Sequence, residues 1–132
     1  MTSFSHIPSA FSTSFSEAMK IESKAGTWIL ISGQVGVPIA ADAGPNTMDF
    51  DDEVRTCFGR IEQSLKKCDA GLADIVRMDV FLTDLSIYGQ FGRIRSELFA
   101  QDPPTSTAVQ VAGLLLGARI EIGAMAFLAQ DE

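Results

Sequence analysis

A stripe of apolar residues in the middle of the chain constrains the fold most strongly. Its members follow one another at steps of four, three, four and three residues, as one face of an α-helix requires: Val54, Phe58, Ile61, Leu65 and Cys68. Acidic side chains crowd residues 49–53 and lysines stand at 66 and 67, which suits the two ends of a helix dipole. Gly71 follows as a stop signal. The pattern predicts an amphipathic helix over about residues 50–70.

Segments of strand-like composition lie on both sides of this helix. Four of them are rich in β-branched or alternating apolar residues and predict strands: 27–34, 74–82, 106–112 and 118–128. In the last, Ile120, Ile122, Ala124 and Ala126 point one way, and Arg119, Glu121 and Gly123 point the other. Residues 1–14 predict an extended N-terminal arm or a first strand, and the Pro- and Gly-containing residues 35–47 predict a surface loop.

A second helix is predicted between residues 84 and 102. Asp84 or Ser86 supplies the N-cap, and Pro103 and Pro104 require the helix to end by Asp102. Its apolar side consists of Ile87, Phe91, Ile94, Leu98 and Phe99.

This order of elements predicts an α/β (α+β) fold with a mixed sheet of about six strands and two helices on one face. At 132 residues the chain is one domain, which we assign to residues 15–132 after an arm at 1–14. Two helices on one face leave the other sheet face without cover. An apolar sheet face left open in this way is normally buried by oligomerisation.

Charge and composition exclude several classes of protein. Ten basic residues against 17 acidic ones give a net charge of −7, which argues against nucleic acid as a partner. The chain has no apolar run of membrane-spanning length and no signal-peptide pattern, so we expect a cytoplasmic protein with no membrane partner.

Cys57 and Cys68 lie three helical turns apart, which excludes a disulfide between them and predicts buried structural thiols. The lone His6 has no partners for catalysis or metal binding, and no motif indicates a metal or cofactor.

Several short motifs, in order and spacing, resemble one known family. They are Phe15-Ser16-Glu17-Ala18, Ile31-Ser32-Gly33-Gln34, Asp74-Ile75-Val76 with Val80-Phe81-Leu82-Thr83-Asp84, Pro104 through Val111, and Ile120-Glu121-Ile122. The chain resembles the Rid family, also called YjgF or UK114. The resemblance implies a chorismate-mutase-like fold whose sheets form a barrel in a homotrimer. It also implies hydrolysis of small reactive enamines or imines in clefts between subunits, without a cofactor.

The resemblance also implies roles for individual residues. Glu121 falls on the glutamate that orients water and is the candidate catalytic residue. The implied substrate-binding residues are Phe15, which replaces a tyrosine, together with Ser32, Gly33, Ser106, Thr107 and Ala108. The strand arginine that grips a substrate carboxylate does not carry over, because its position is Ser106. The best-placed candidate for a replacement guanidinium is Arg119, which lies two residues from Glu121 on the same strand face, and Arg77, Arg93 and Arg95 are further candidates. The alternative is that all four arginines are solvated surface residues.

Three functions remain open at this point. The first is a Rid-type hydrolase or deaminase whose small-molecule substrate lacks the α-carboxylate, because the arginine is missing. The second is a non-catalytic trimer that binds a small molecule or acts as a holdase. The third and weakest is a ribonuclease or translation inhibitor, because a chain with a net charge of −7 has little means of attracting RNA.

Overall fold

A computed structural model describes residues 1–40 and 44–130, in which the chain forms six strands and two α-helices. In chain order they are β1 (Ser3–Pro8), β2 (Ser16–Ser23), β3 (Gly26–Val35), α1 (Phe50–Lys66), β4 (Ile75–Leu82), α2 (Tyr88–Leu98), β5 (Thr105–Gln110) and β6 (Ile120–Ala129). Short 3₁₀ turns stand at Leu72–Asp74, Leu85–Ile87 and Leu115–Gly117.

All six strands belong to one mixed sheet with the order β1-β2-β3-β6-β4-β5. Neighbours are antiparallel except β4 and β5, which run parallel because α2 carries the chain back across the sheet between them. β6 returns from the β5 edge to lie between β3 and β4. The predicted α+β class, with a mixed six-stranded sheet and two helices, is confirmed.

Both helices pack on the same face of the sheet. The alternation predicted for β6 is confirmed, because Ile120, Ile122, Ala124 and Ala126 are buried and the residues between them are partly exposed. The apolar stripe of α1 is buried as predicted. Leu98 is an exception in α2: it is the last residue of the helix and remains 37% exposed, so its assignment to the buried side was wrong.

The ends of the helices differ from the predicted ends. α1 stops at Lys66, and Asp69, with φ of 63°, takes the left-handed turn expected near Gly71. Asp49 caps the start of α1 by accepting a hydrogen bond from the Asp51 N–H. Asp84 caps the 3₁₀ turn ahead of α2 in the same way, by accepting from the Ser86 N–H.

The N-terminal residues belong to the sheet. Residues Ser3–Pro8 pair with β2 as an edge strand, which is the second of the two predictions for residues 1–14. His6 is exposed there and is hydrogen-bonded to the Ser16 hydroxyl at 3.0 Å. Residues 41–43 of the predicted loop and 131–132 of the predicted domain lie outside the described residues.

A β-bulge interrupts the pairing of β3 with β6. Ile31 pairs with Ala124 and Gln34 with Ile122, so Ser32 and Gly33 together face the single residue Gly123. A bulge of this kind bends the strand and redirects its side chains. It lies where the sequence shows Ser-Gly at the end of an apolar run.

The sheet face opposite the helices carries exposed apolar side chains. Trp28 and Leu30 stand there on β3, Phe4 on β1 and Val109 on β5. The Trp28 ring packs on Phe127 of the neighbouring strand, with 4.7 Å between the ring centroids. Within the described chain this face has no covering layer.

Both cysteines are free and buried, as predicted. The Cys57 thiol donates to the Gln34 carbonyl at 3.0 Å, and burial raises the pKa of Cys57 to about 12. A thiol that stays protonated on the buried face of α1 contributes to core packing and is not a nucleophile at neutral pH.

Candidate functional site

A cavity of about 340 Å³ lies at the bulged end of β3, where β3 meets β6. Three of the predicted site residues line it: Phe15, Gly33 and Glu121. Most of the remaining wall is apolar and comes from Phe11, Val35, Ile39, Leu115 and Leu116. A carboxylate in an apolar cavity is a candidate acid or base.

Gly33 positions the Glu121 carboxylate. A Cβ added at residue 33 would lie 2.7 Å from the Glu121 Oε2, so the carboxylate packs directly on the glycine backbone. Any side chain at 33 would displace that group. The bulge and the glycine together make room for Glu121 at the cavity wall.

Ser32 serves the architecture of the site and does not line the cavity. Its hydroxyl donates to the Ser16 carbonyl at 2.6 Å and so ties the bulge to the first residue of β2. Phe15 immediately precedes that residue. The hydrogen bond therefore fixes the strand end that presents the Phe15 ring.

A second carboxylate, Glu17, lines the same cavity and was not among the predicted site residues. It accepts hydrogen bonds from the Ser64 hydroxyl at 2.8 Å and from the Lys67 ammonium at 2.9 Å. Among the described residues, no such ion pair or side-chain hydrogen bond involves Glu121. The two carboxylates therefore differ: Lys67 neutralises Glu17, whereas no described cation pairs with Glu121.

The rim of the cavity is strongly apolar and open. Leu115 is 77% exposed, and Phe11, Phe15, Ile39 and Leu116 are also exposed. Leu116 has a φ of 61°, in the left-handed region that a leucine rarely adopts. Between the predicted strands 106–112 and 118–128 the sequence carries no motif, so the contribution of Leu115 and Leu116 had no recognisable signal.

Arg119 does not join Glu121. Its backbone N–H and its Nε both donate to the Glu53 carboxylate, at 2.7 and 2.8 Å, and its Nη2 donates to the Met48 carbonyl. Glu53 is fully buried, so this pair is a fixed part of the structure. The expectation that Arg119 supplies the missing guanidinium is therefore corrected, because its guanidinium is already committed at the N-terminal end of α1.

Ser106, Thr107 and Ala108 lie on β5, apart from Glu121. The register runs from Glu121 to Phe81 and on to Val109, three residues beyond Ser106. Two strand spacings and three residue steps separate the Cα atoms of Glu121 and Ser106 by roughly 14 Å. Glu121 also faces the open side of the sheet, whereas Ser106 pairs with the buried Met78 and faces the helix side. Within one chain the predicted site is thus two separate clusters.

The β5 cluster has its own cavity of about 500 Å³, bordered by α2 and the Pro103-Pro104 connection. Ser106 lines it, and its hydroxyl accepts a hydrogen bond from Arg95 Nη1 at 3.2 Å. Thr107 points to the other face, where its hydroxyl accepts from Arg77 at 3.5 Å. Ala108 packs against the core.

Two other kinds of feature are absent from the described part of the chain. Over residues 1–40 and 44–130, no three side chains of the His, Cys, Asp or Glu type come together as a metal site would require. In the same part of the chain, no helix has the length and apolar character needed to cross a membrane.

Comparison with known proteins gives consistent matches along nearly the whole chain. The family model described as endoribonuclease L-PSP matches residues 7–128. The RutC family protein PYRAB12510 of Pyrococcus abyssi is 29% identical over 114 residues, covering 86% of this chain and 85% of the relative. TdcF of Escherichia coli (strain K12), whose name describes a reactive intermediate deaminase, is 28% identical over 104 residues, covering 76% and 79%. The crystal structure of Rv2704 from Mycobacterium tuberculosis, described as a member of the YjgF/YER057c/UK114 family, superposes with a TM-score of 0.77 at 26% identity, covering 96% of this chain and 100% of that one.

Proposed function

Because the chain belongs to the Rid (YjgF/UK114) family, we propose that it is a Rid-type hydrolase that converts a small enamine or imine to a carbonyl compound and ammonia. The reaction takes place in a cleft between subunits of a cytoplasmic homotrimer, and Glu121 orients the water. The name of the relative TdcF, a reactive intermediate deaminase, supports this reaction class.

The environment of Glu121 carries the proposal. Its carboxylate packs on the Gly33 backbone in a mainly apolar cavity, and none of the described cations forms an ion pair with it. Glu17 in the same cavity is already paired with Lys67. An unpaired carboxylate in such a place is costly unless it interacts with a ligand or with water.

The chemistry requires one base and one water. Glu121 accepts a proton from water as the water oxygen forms a bond to the imine carbon, and it then gives that proton to the nitrogen to form the carbinolamine. Glu121 next accepts the proton of the carbinolamine hydroxyl and gives it to the nitrogen as the C–N bond breaks, so that ammonia leaves, the carbonyl forms and the carboxylate is restored. The apolar walls from Phe15, Leu115 and Leu116 limit the access of other water.

The division of the site supports the proposed oligomerisation. The Glu121 cavity is open on one side, and the Ser106 cavity lies on another face of the same chain. Exposed Trp28 and Leu30 on the uncovered sheet face provide the apolar surface that a neighbouring subunit would bury. A trimer that covers this face and joins the two cavities of adjacent chains would complete the cleft.

An imine-trapping assay tests the proposed function. An L-amino-acid oxidase generates 2-iminobutanoate from 2-aminobutanoate, and semicarbazide competes for the imine. We expect the wild-type protein to lower semicarbazone formation, Glu121→Gln to abolish that effect, and Glu97→Gln, an exposed acid on α2, to behave as wild type. Equal semicarbazone formation with and without wild-type protein, or full activity in Glu121→Gln, contradicts the proposal.

A non-catalytic trimer that binds a small molecule or acts as a holdase is the second candidate function. The apolar rim of the Glu121 cavity favours it, since exposed apolar side chains concentrate where a ligand or an unfolded segment can bind. This candidate is supported if small apolar molecules shift the NMR signals of the cavity residues while no imine is consumed. The ribonuclease function in the name of the family model gains no support from a net charge of −7.

A further inference from the structure

The guanidinium of Arg95 stands in the cavity between α2 and β5 with three kinds of support. Its Nη1 donates to the Ser106 hydroxyl at 3.2 Å, and its Nη2 donates to the Tyr88 hydroxyl at 3.0 Å. Its Cζ lies 5.0 Å from the centroid of the Phe91 ring and 5.4 Å from that of Tyr88. The side chain is therefore fixed by stacking and by two hydrogen bonds on elements of regular structure.

The direction of these hydrogen bonds determines what else the group can bind. Both hydroxyl oxygens accept from Arg95, so their own hydrogens remain available for donation. Arg95 has further N–H groups beyond the two already used. The cavity thus presents a cation and two hydroxyl donors, an arrangement suited to an anion.

Three of the other five arginines are neutralised by carboxylates. Arg55 pairs with Glu97, Arg77 with Asp79 and Arg119 with Glu53, each at 2.8 Å. Within residues 1–40 and 44–130, none of these ion pairs involves Arg95. Arg60 and Arg93 are not in these ion pairs either, but Arg60 donates to the Val35 carbonyl and Arg93 is exposed on α2. Arg95 differs from them because it is held by two hydroxyl groups whose own hydrogens can be donated to the same anion.

From these observations we infer that the Arg95 cavity binds the carboxylate of a small organic acid. The volume of about 500 Å³ accommodates a molecule of that size, and Phe99 and Pro104 offer apolar walls to its body. The planar guanidinium pairs with a carboxylate through two parallel hydrogen bonds, and the Tyr88 and Ser106 hydroxyls complete the contact.

The inference changes the substrate class for the proposed hydrolase. If the trimer joins this cavity to the Glu121 cavity of a neighbouring chain, the substrate is a 2-imino acid held by Arg95, and not an imine without a carboxylate. This extension rests on the proposed function. The binding of a carboxylate at Arg95 does not, and it is measured separately.

Titrations with butanoate and butanamide, followed by ¹H–¹⁵N NMR, test the binding. The two probes have nearly the same shape and differ in charge. We expect the wild-type protein to bind butanoate about tenfold more tightly than butanamide, with shifts at Tyr88, Arg95 and Ser106. Arg95→Gln removes the preference, whereas Arg93→Gln, which changes an exposed arginine two residues away on α2, retains it.

Equal affinity for the two probes in wild type, or an unchanged preference in Arg95→Gln, overturns the inference. Should Arg95→Gln fail to fold, Tyr88→Phe and Ser106→Ala each remove one hydroxyl donor, and an undiminished butanoate affinity in both is the contrary result. Glu121→Gln distinguishes the two proposals, because it retains butanoate binding whether or not the wild-type protein hydrolyses an imine.

Discussion

Replacing the buried Glu53 by glutamine tests whether the ion pair with Arg119 holds the functional end of the molecule together. Glu53 Oε1 accepts from Arg119 Nε at 2.8 Å and from Asn46 Nδ2 at 3.0 Å, while Oε2 accepts from the Arg119 backbone N–H at 2.7 Å. One carboxylate thus connects α1, the segment before it, and the start of β6. Asn46 also donates to the Gly117 carbonyl at 3.1 Å, which ties the Leu115–Gly117 turn to the same cluster.

The magnitude follows from the donors that a glutamine leaves unpaired. Whichever way its amide is turned, the NH₂ group meets an N–H donor of Arg119 at a fully buried position. A buried donor without an acceptor costs about 1–3 kcal/mol. Loss of the ion pair adds to this cost, but the Arg119 side chain remains 37% exposed and so keeps part of its hydration. We therefore expect Glu53→Gln to lower the free energy of unfolding by about 2–4 kcal/mol.

Urea denaturation at one fixed protein concentration measures the effect, since subunit association makes stability depend on concentration. Asp52→Asn is the matched control, because Asp52 is exposed in the same helical turn and its loss removes about 0.3–1 kcal/mol of dipole interaction. A Glu53→Gln protein within about 1 kcal/mol of wild type, or no less stable than Asp52→Asn, refutes the reasoning.

Three further predictions concern glycines and a thiol. Gly36→Ala should destabilise the fold by about 1–3 kcal/mol or more, seen as a lower Tm, because its Cβ would lie 1.8 Å from the Glu53 carbonyl oxygen; an unchanged Tm contradicts this. Gly33→Ala should leave Tm nearly unchanged but reduce imine hydrolysis about tenfold or more, because its Cβ meets only the end of the Glu121 side chain and displaces that carboxylate; wild-type hydrolysis would count against the assigned geometry. Burial raises the pKa of Cys57 from 9.0 to about 12, so this thiol should resist iodoacetamide at pH 8 until urea unfolds the protein. The contribution of the buried thiol to the free energy of unfolding should be present below pH 9.0 and be lost as the pH rises towards 12.

The sequence predicted those parts of the fold that depend on local periodicity. The stripe from Val54 to Leu65 and the alternation from Ile120 to Ala126 each indicate one face, and burying that face is the main local driving force. The end of α1 was missed because Asp69 takes the left-handed turn, a conformation that sequence reasoning assigns first to glycine.

The candidate site was predictable only in part, because its geometry depends on contacts between distant segments. Strand alternation predicts that Arg119 and Glu121 lie on the same face. In the structure Arg119 precedes the first residue of β6, and its side chain binds Glu53, 66 residues earlier in the chain. No local pattern identifies that pairing. The role of Arg95 was equally hidden, since its relation to Ser106 exists only after α2 packs beside β5.

The β-bulge at Ser32 and Gly33 sets which way the last residues of β3 face. With the extra residue taken up in the bulge, Val35 pairs with Glu121 and lines its cavity. Deleting either bulge residue would leave Gln34 opposite Ile122 and Val35 opposite Glu121, because the remaining residue would pair with Gly123 in a regular ladder. A residue inserted between Gln34 and Val35 would instead take the place opposite Glu121 and turn Val35 toward α1. Natural sequence change in β3 should therefore allow the loss of one bulge residue more readily than an insertion beyond the bulge.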